Sequence, residues 1–132
     1  MPALRSVLLA AVLGWSLGCG DGGAPPDIPT PGLLGLWLSS PNVNDGALLV
    51  TITGGIVDSV QPAPGYTLSS AGAGTSTVRV VVTGNVASGI VAQILVPDTR
   101  RAASYHITVD QAAARGSYAL QNVGGYAIEV LP

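Results

Sequence analysis

The sequence predicts an all-β fold, a single β-sandwich of about eight or nine strands, and three observations carry that expectation. From Leu33 onward apolar side chains recur with a period of two rather than 3.6, the spacing of a strand with one buried face. The apolar runs are short, and clusters of Gly, Pro, Asn and Asp separate them throughout. Hydrophobic residues make up 48% of the chain and charged residues only 9%, with β-branched residues concentrated in the apolar runs.

The first run alternates Leu34, Leu36 and Leu38 on one face with Trp37 on the other. Pro41-Asn42-Val43-Asn44-Asp45-Gly46 then reads as a turn, its Asp-Gly end suited to positive φ. Leu48, Val50 and Ile52 follow on one face of a second strand, with Leu49, Thr51 and Thr53 opposite, until Gly54-Gly55. Ile56 to Val60 is expected as a short strand closed by Pro62-Ala63-Pro64-Gly65, and Tyr66-Thr67-Leu68 as another. Val78 to Val82 and Ile90 to Val96 are the two most apolar runs, so both belong near sheet centres. Thr99-Arg100-Arg101 reads as a polar loop after Pro97-Asp98. Tyr105, Ile107 and Val109 alternate with His106, Thr108 and Asp110, and Gln111 to Arg115 reads as one helical turn stopped by Gly116. Short pieces at Tyr118 and Leu120, and at Tyr126, Ile128 and Val130, complete the pattern.

The N-terminus has a different grammar. Arg5 and the amino group form a small positive region, and an apolar run from Val7 to Leu17 follows. That run is shorter than the roughly 20 residues a bilayer-spanning helix needs, and has the length of an export-signal core. Small Gly18 precedes Cys19, the only cysteine, so no intramolecular disulfide is available. Ser16-Leu17-Gly18-Cys19 resembles the lipobox of bacterial lipoproteins: Gly18 and Cys19 match, while the leucine sits one place late. The resemblance implies a signal peptide over 1–18 and diacylglyceryl attachment at Cys19. It also implies residence in the cell envelope, at the outer membrane or cell surface because Gly20 rather than Asp follows the cysteine. The competing reading is plain secretion with cleavage near Gly18 or Gly20. Residues 20–32 hold four prolines and four glycines, so 19–32 reads as the anchor and a linker reaching roughly 40 Å at about 3.3 Å per residue. The β-sandwich is then 33–132.

Within the domain, the order of elements resembles that of cohesin-like domains, so the sandwich is expected to be cohesin-like or immunoglobulin-like. Gly-Ala-Leu-Leu-Val-Thr-Ile-Thr-Gly-Gly-Ile-Val-Asp-Ser-Val, Gly46 to Val60, is similar to their early strands. Val-Arg-Val-Val-Val, a Gly-rich loop and Gly-Ile-Val-Ala-Gln-Ile-Leu-Val are similar to their middle strand pair. The resemblance implies a nine-stranded sandwich that binds a dockerin-like module or another surface partner. No positions here match that family's partner-contacting residues.

Candidate chemistry is sparse. After residue 18, seven acids face four arginines, a mildly acidic balance without a basic run, which argues against nucleic acid as a partner. His106 is the only histidine, expected on a polar strand face, and no nucleophile elbow, Cys/His spacing or phosphate loop accompanies it. Asn42, Asn44 and Asp45 lack the spacing and distal glutamate of a calcium loop and read as a turn. Asp98 beside Arg100 and Arg101 reads as a solvated loop, and Asp58, Asp110 and Glu129 have no pairing spacing. Trp37 and the four tyrosines (Tyr66, Tyr105, Tyr118, Tyr126) are the residues for a sugar-stacking platform, or equally for sandwich edges and cores. No catalytic, cofactor or metal residue is assigned. The expectation is a lipid-anchored binding or scaffolding module for a protein or glycan, with Pro41–Gly46, Asp98–Arg101 or a sheet face as contact surface. A purely structural envelope role or a small hydrolase is the alternative.

Overall fold

The computed structural model describes residues 28–132, so the signal peptide, Cys19 and most of the linker expected from the sequence lie outside the described residues. The described chain is a sandwich of two antiparallel sheets, the fold class that the two-residue periodicity predicts. The elements are β1 (Gly32–Ser39), β2 (Asp45–Thr53), β3 (Ser59–Pro62), β4 (Thr67–Ala71), β5 (Thr77–Val86) and β6 (Gly89–Val96). A 3₁₀ helix (Thr99–Ser104) leads to β7 (His106–Ala114), β8 (Leu120–Gln121) and β9 (Ala127–Leu131). One sheet has the order β3-β6-β1-β9 and the other β4-β5-β2-β7-β8.

Alternation produces the core. Leu34, Leu36 and Leu38 of β1 face Leu48, Val50 and Ile52 of β2 across the sandwich, and Val78, Val80, Val82, Val91 and Ile94 fill the space between them. Fully burying such a side chain stabilises the fold by about 1.5–3 kcal/mol. In β6 a register shift opposite Leu36/Trp37 turns both Val91 and Ala92 inward, so Ile90 and Gln93 both face out. The two most apolar strands, β5 and β6, are interior to their sheets as expected. They lie in opposite sheets rather than paired, joined through only Ala87 and Ser88.

Several local expectations are corrected. Gln111–Ala114 is strand, not a helical turn: it continues β7, each residue paired to β2. Thr99–Arg101 opens the 3₁₀ helix, with the Asp98 carboxylate accepting from Arg100 N. The short strand after Gly54-Gly55 begins at Ser59 rather than Ile56, although Val57 is buried in the core. Asp45 opens β2 instead of standing in an exposed turn, and Gly46 does not use positive φ. Gly46 is required for another reason: a Cβ there would lie 2.7 Å from Arg115 Cα, so the two backbones touch.

β1 and β2 fix the polarity of the sandwich. The incoming chain is tied at one end, where Thr99 N donates to Thr30 O at 2.8 Å and Thr30 N to Asp98. From there β1 runs to Ser39, beside which β2 begins at Asp45 and returns to Gly54. The molecule therefore has a chain-entry end, with Gly54-Gly55 and the 3₁₀ helix, and an opposite free end, with residues 40–46, 87–88 and 115–126.

Candidate functional site

At the free end a single carboxylate organises three connections. Asp45 is fully buried (0% exposed). Its Oδ2 accepts from Ser40 Oγ at 2.5 Å, and its Oδ1 from Tyr126 OH at 2.6 Å and from Gln121 Nε2 at 3.1 Å. Asn42 Nδ2 donates to the same tyrosine hydroxyl at 2.8 Å. These donors belong to the ends of β1, β8 and the lead into β9, so the cluster clasps both sheets. All are neutral, and burying a carboxyl group is tolerable because both of its oxygens accept hydrogen bonds. Burial, and then the bond to Asp45, raises the Tyr126 phenol above the ordinary tyrosine range.

The clasp holds two loops together above it. Arg115 N donates to Asn44 O at 2.6 Å and Arg115 Nη2 to Val43 O at 3.0 Å. Above this frame project Val43 (89% exposed), Leu120 (71%) and Tyr118 (63%), three of the four most exposed large hydrophobic side chains among the described residues. Tyr118 also has φ +55°, the only non-glycine residue described with positive φ. A tyrosine in that region is strained by roughly 1–3 kcal/mol, and such strain gathers at functional loops. Leu120 continues into a shallow groove of about 180 Å³ on the five-stranded sheet, lined by Leu49, Val81 and Ala113.

At the chain-entry end lies an open cleft of about 410 Å³ between Gly54–Ile56 and Asp98–Tyr105. Arg100 Nε and Nη2 engage both oxygens of Asp98 at 2.9 and 3.0 Å, which holds its carboxyl well below the usual carboxylate range. Arg101 Nε lies 3.9 Å from Asp98. Tyr105 OH donates to Ile56 O at 2.6 Å, and its phenol is raised above the ordinary range by burial first and then by the charges of Asp58 and Asp98. The lining thus holds two arginines and one carboxylate, Asp98, which engages both of them. Gly54, with φ +98°, is irreplaceable there because a Cβ would fall 1.9 Å from Ser104 O.

His106 is exposed at the first position of β7, opposite Thr53. Asp110 sits at a register shift in β7 and accepts a hydrogen bond from Thr51 Oγ1, while Glu129 is exposed on β9 beside Trp37. Asp58 and Glu129 belong to different edges of the molecule. The tyrosines are not on strands: Tyr66, Tyr105 and Tyr126 each immediately precede one, and Tyr118 lies in the β7–β8 turn. Among the described residues no group of three or more His, Cys, Asp or Glu could hold a metal ion. Cys19, the sequence-predicted lipidation site, lies outside the described residues.

Sequence reasoning missed Asp45 as a structural centre, and missed Arg115 and Leu120 as parts of a surface. The available signal was Leu120, a large apolar residue inside the small and polar stretch Gly116 to Asn122. The chain matches no family model, and no significant match appears among curated proteins or solved structures.

Proposed function

We propose that the protein is a lipid-anchored cell-envelope module that binds a protein or glycan partner through the free end of its sandwich. The observation carrying this reading is the concentration of Val43, Tyr118 and Leu120 at the end opposite chain entry, on two loops and the short strand β8, which the Asp45 clasp ties together through Ser40, Gln121 and Tyr126. Tyrosine and arginine in a well-supported setting are the residue types that dominate recognition surfaces. Anchoring at Cys19 suits this polarity, because a tether entering beside Thr30 leaves the far end presented outward. Two or more acyl chains give stable membrane attachment where a single chain is marginal. The likeness to cohesin-like domains supports the same class of role, with a dockerin-like module as one partner of that kind.

The test is retention of envelope components by the immobilised protein, compared with a Tyr118→Ser/Leu120→Ser variant. The reading expects a partner held by the parent and lost by the variant, with both proteins equally folded by circular dichroism. Identical retention by the two would contradict it.

A further inference from the structure

The outer face of the four-stranded sheet carries a second, independent surface. β1 is an interior strand of this sheet, and its outward side chains are Leu33, Gly35, Trp37 and Ser39. Trp37 is 43% exposed, its indole standing on a sheet face that no element of the described fold covers. Directly opposite it are Ile90 on β6 and Glu129 on β9. One step along, Gly35 lies between Leu131 and Gln93, and Gln93 in turn pairs with Gln61 on the edge strand β3. Side chains directly opposite across antiparallel strands share a face, so the indole is bordered by Glu129 on one side and by Ile90 on the other, with Ile90 Cδ1 over Gly35 and the amides of Gln93 and Gln61 in the next row.

We infer that this face is a binding site for a neutral polysaccharide or oligosaccharide, a pyranose ring stacking on Trp37 while Gln93, Gln61 and Glu129 hydrogen-bond its hydroxyls. Three features select that occupant. The electron-rich indole face favours contact with the polarised C–H groups of a sugar ring, in the way that aromatic quadrupoles favour positive edges. Amides and carboxylates around the ring supply both the donors and acceptors that vicinal hydroxyls require. Charge selects as well: the paired rows of this face hold one formal charge, Glu129, and no arginine, so an anionic polymer finds repulsion and no counter-charge. The site shares no residue with Val43, Tyr118 and Leu120, and it stands or falls without them.

The sequence supplies its own reporter, since tryptophan occurs only at 15 and 37. In the full chain carrying Trp15→Phe, Trp37 emission is followed while neutral hexasaccharides are added: β-1,4-linked glucose, β-1,4-linked N-acetylglucosamine and α-1,4-linked glucose. The expected result is a saturable change with at least one of them. Gln93→Ala should weaken that binding about tenfold, the worth of a hydrogen bond or two, with circular dichroism unchanged. Tyr118→Ser/Leu120→Ser should leave it intact, which separates this site from the free end. No response to any neutral hexasaccharide, equal affinity in Gln93→Ala, or a stronger response to an anionic oligosaccharide would overturn the inference. So would an emission change on raising protein concentration alone, which would show a second copy covering the face.

Discussion

Asp45 gathers Ser40, Gln121 and Tyr126 around one buried carboxylate, and removing it strands three donors at once. Asp45→Ala should therefore cost about 3 kcal/mol in urea unfolding, well above a surface substitution. Tyr118 behaves oppositely. Because its φ is +55°, Tyr118→Gly should leave stability unchanged or raise it by up to about 1 kcal/mol, while weakening partner binding. A stability loss there would remove the argument that strain is held at this loop for recognition. The sequence shows the inward residues well: Val80 and Ile94 are both fully buried, as the alternation requires. Val80→Asp or Ile94→Asp should each cost more than about 4 kcal/mol and prevent folding in the same assay. Asp45 was illegible because its partners Gln121 and Tyr126 lie 76 and 81 residues further along, whereas the local Asn-Asp-Gly chemistry points to a turn.

At the level of elements, tertiary pairing overrode local preference where a helical turn was expected over Gln111 to Arg115. Gln111-Ala112-Ala113-Ala114 has good helix formers, but β2 offers each of them a strand partner, and Ala112 reaches the core. The 3₁₀ helix is held by Asp98, which accepts from Arg100 N and from Thr30 N, and so links that helix to the entering chain. Its carboxyl titrates below the usual range in the folded state. The stability it supplies is thus fully present at neutral pH, begins to fall as acidification enters the ordinary carboxylate range, and is gone below the lowered value. Its partners Arg100 and Arg101 are exposed and solvent screens both pairs, so the global effect is small and the local one decides. Amide hydrogen exchange at Thr30 and Arg100 should speed up in Asp98→Ala at neutral pH, with the core amides of β2 and β5 unaffected. Uniform acceleration across the domain would show that Asp98 holds the whole fold rather than this corner.

For the molecule as a whole, the β-sandwich class was legible because a single period runs through nearly all of it, whereas the strand order of the two sheets was not. The surface was less so, since adjacency of Val43 and Arg115 arises only when loops 72 residues apart meet over the clasp. Anchoring makes a sharp prediction at this scale. Mass spectrometry should find Cys19 as an acylated N-terminus, and Cys19→Ser should shift the protein out of the membrane fraction. His106→Ala, at the exposed start of β7, should leave partner binding unchanged. The most direct measurement of the central claim is photo-crosslinking in intact cells, with a photoreactive residue placed singly at 43, 118 or 120, or at 56 beside the entry cleft. A binding module working through its free end gives one shared adduct from 43, 118 and 120 and none from 56. Adducts from 56 alone, or none from the three free-end positions, would contradict it.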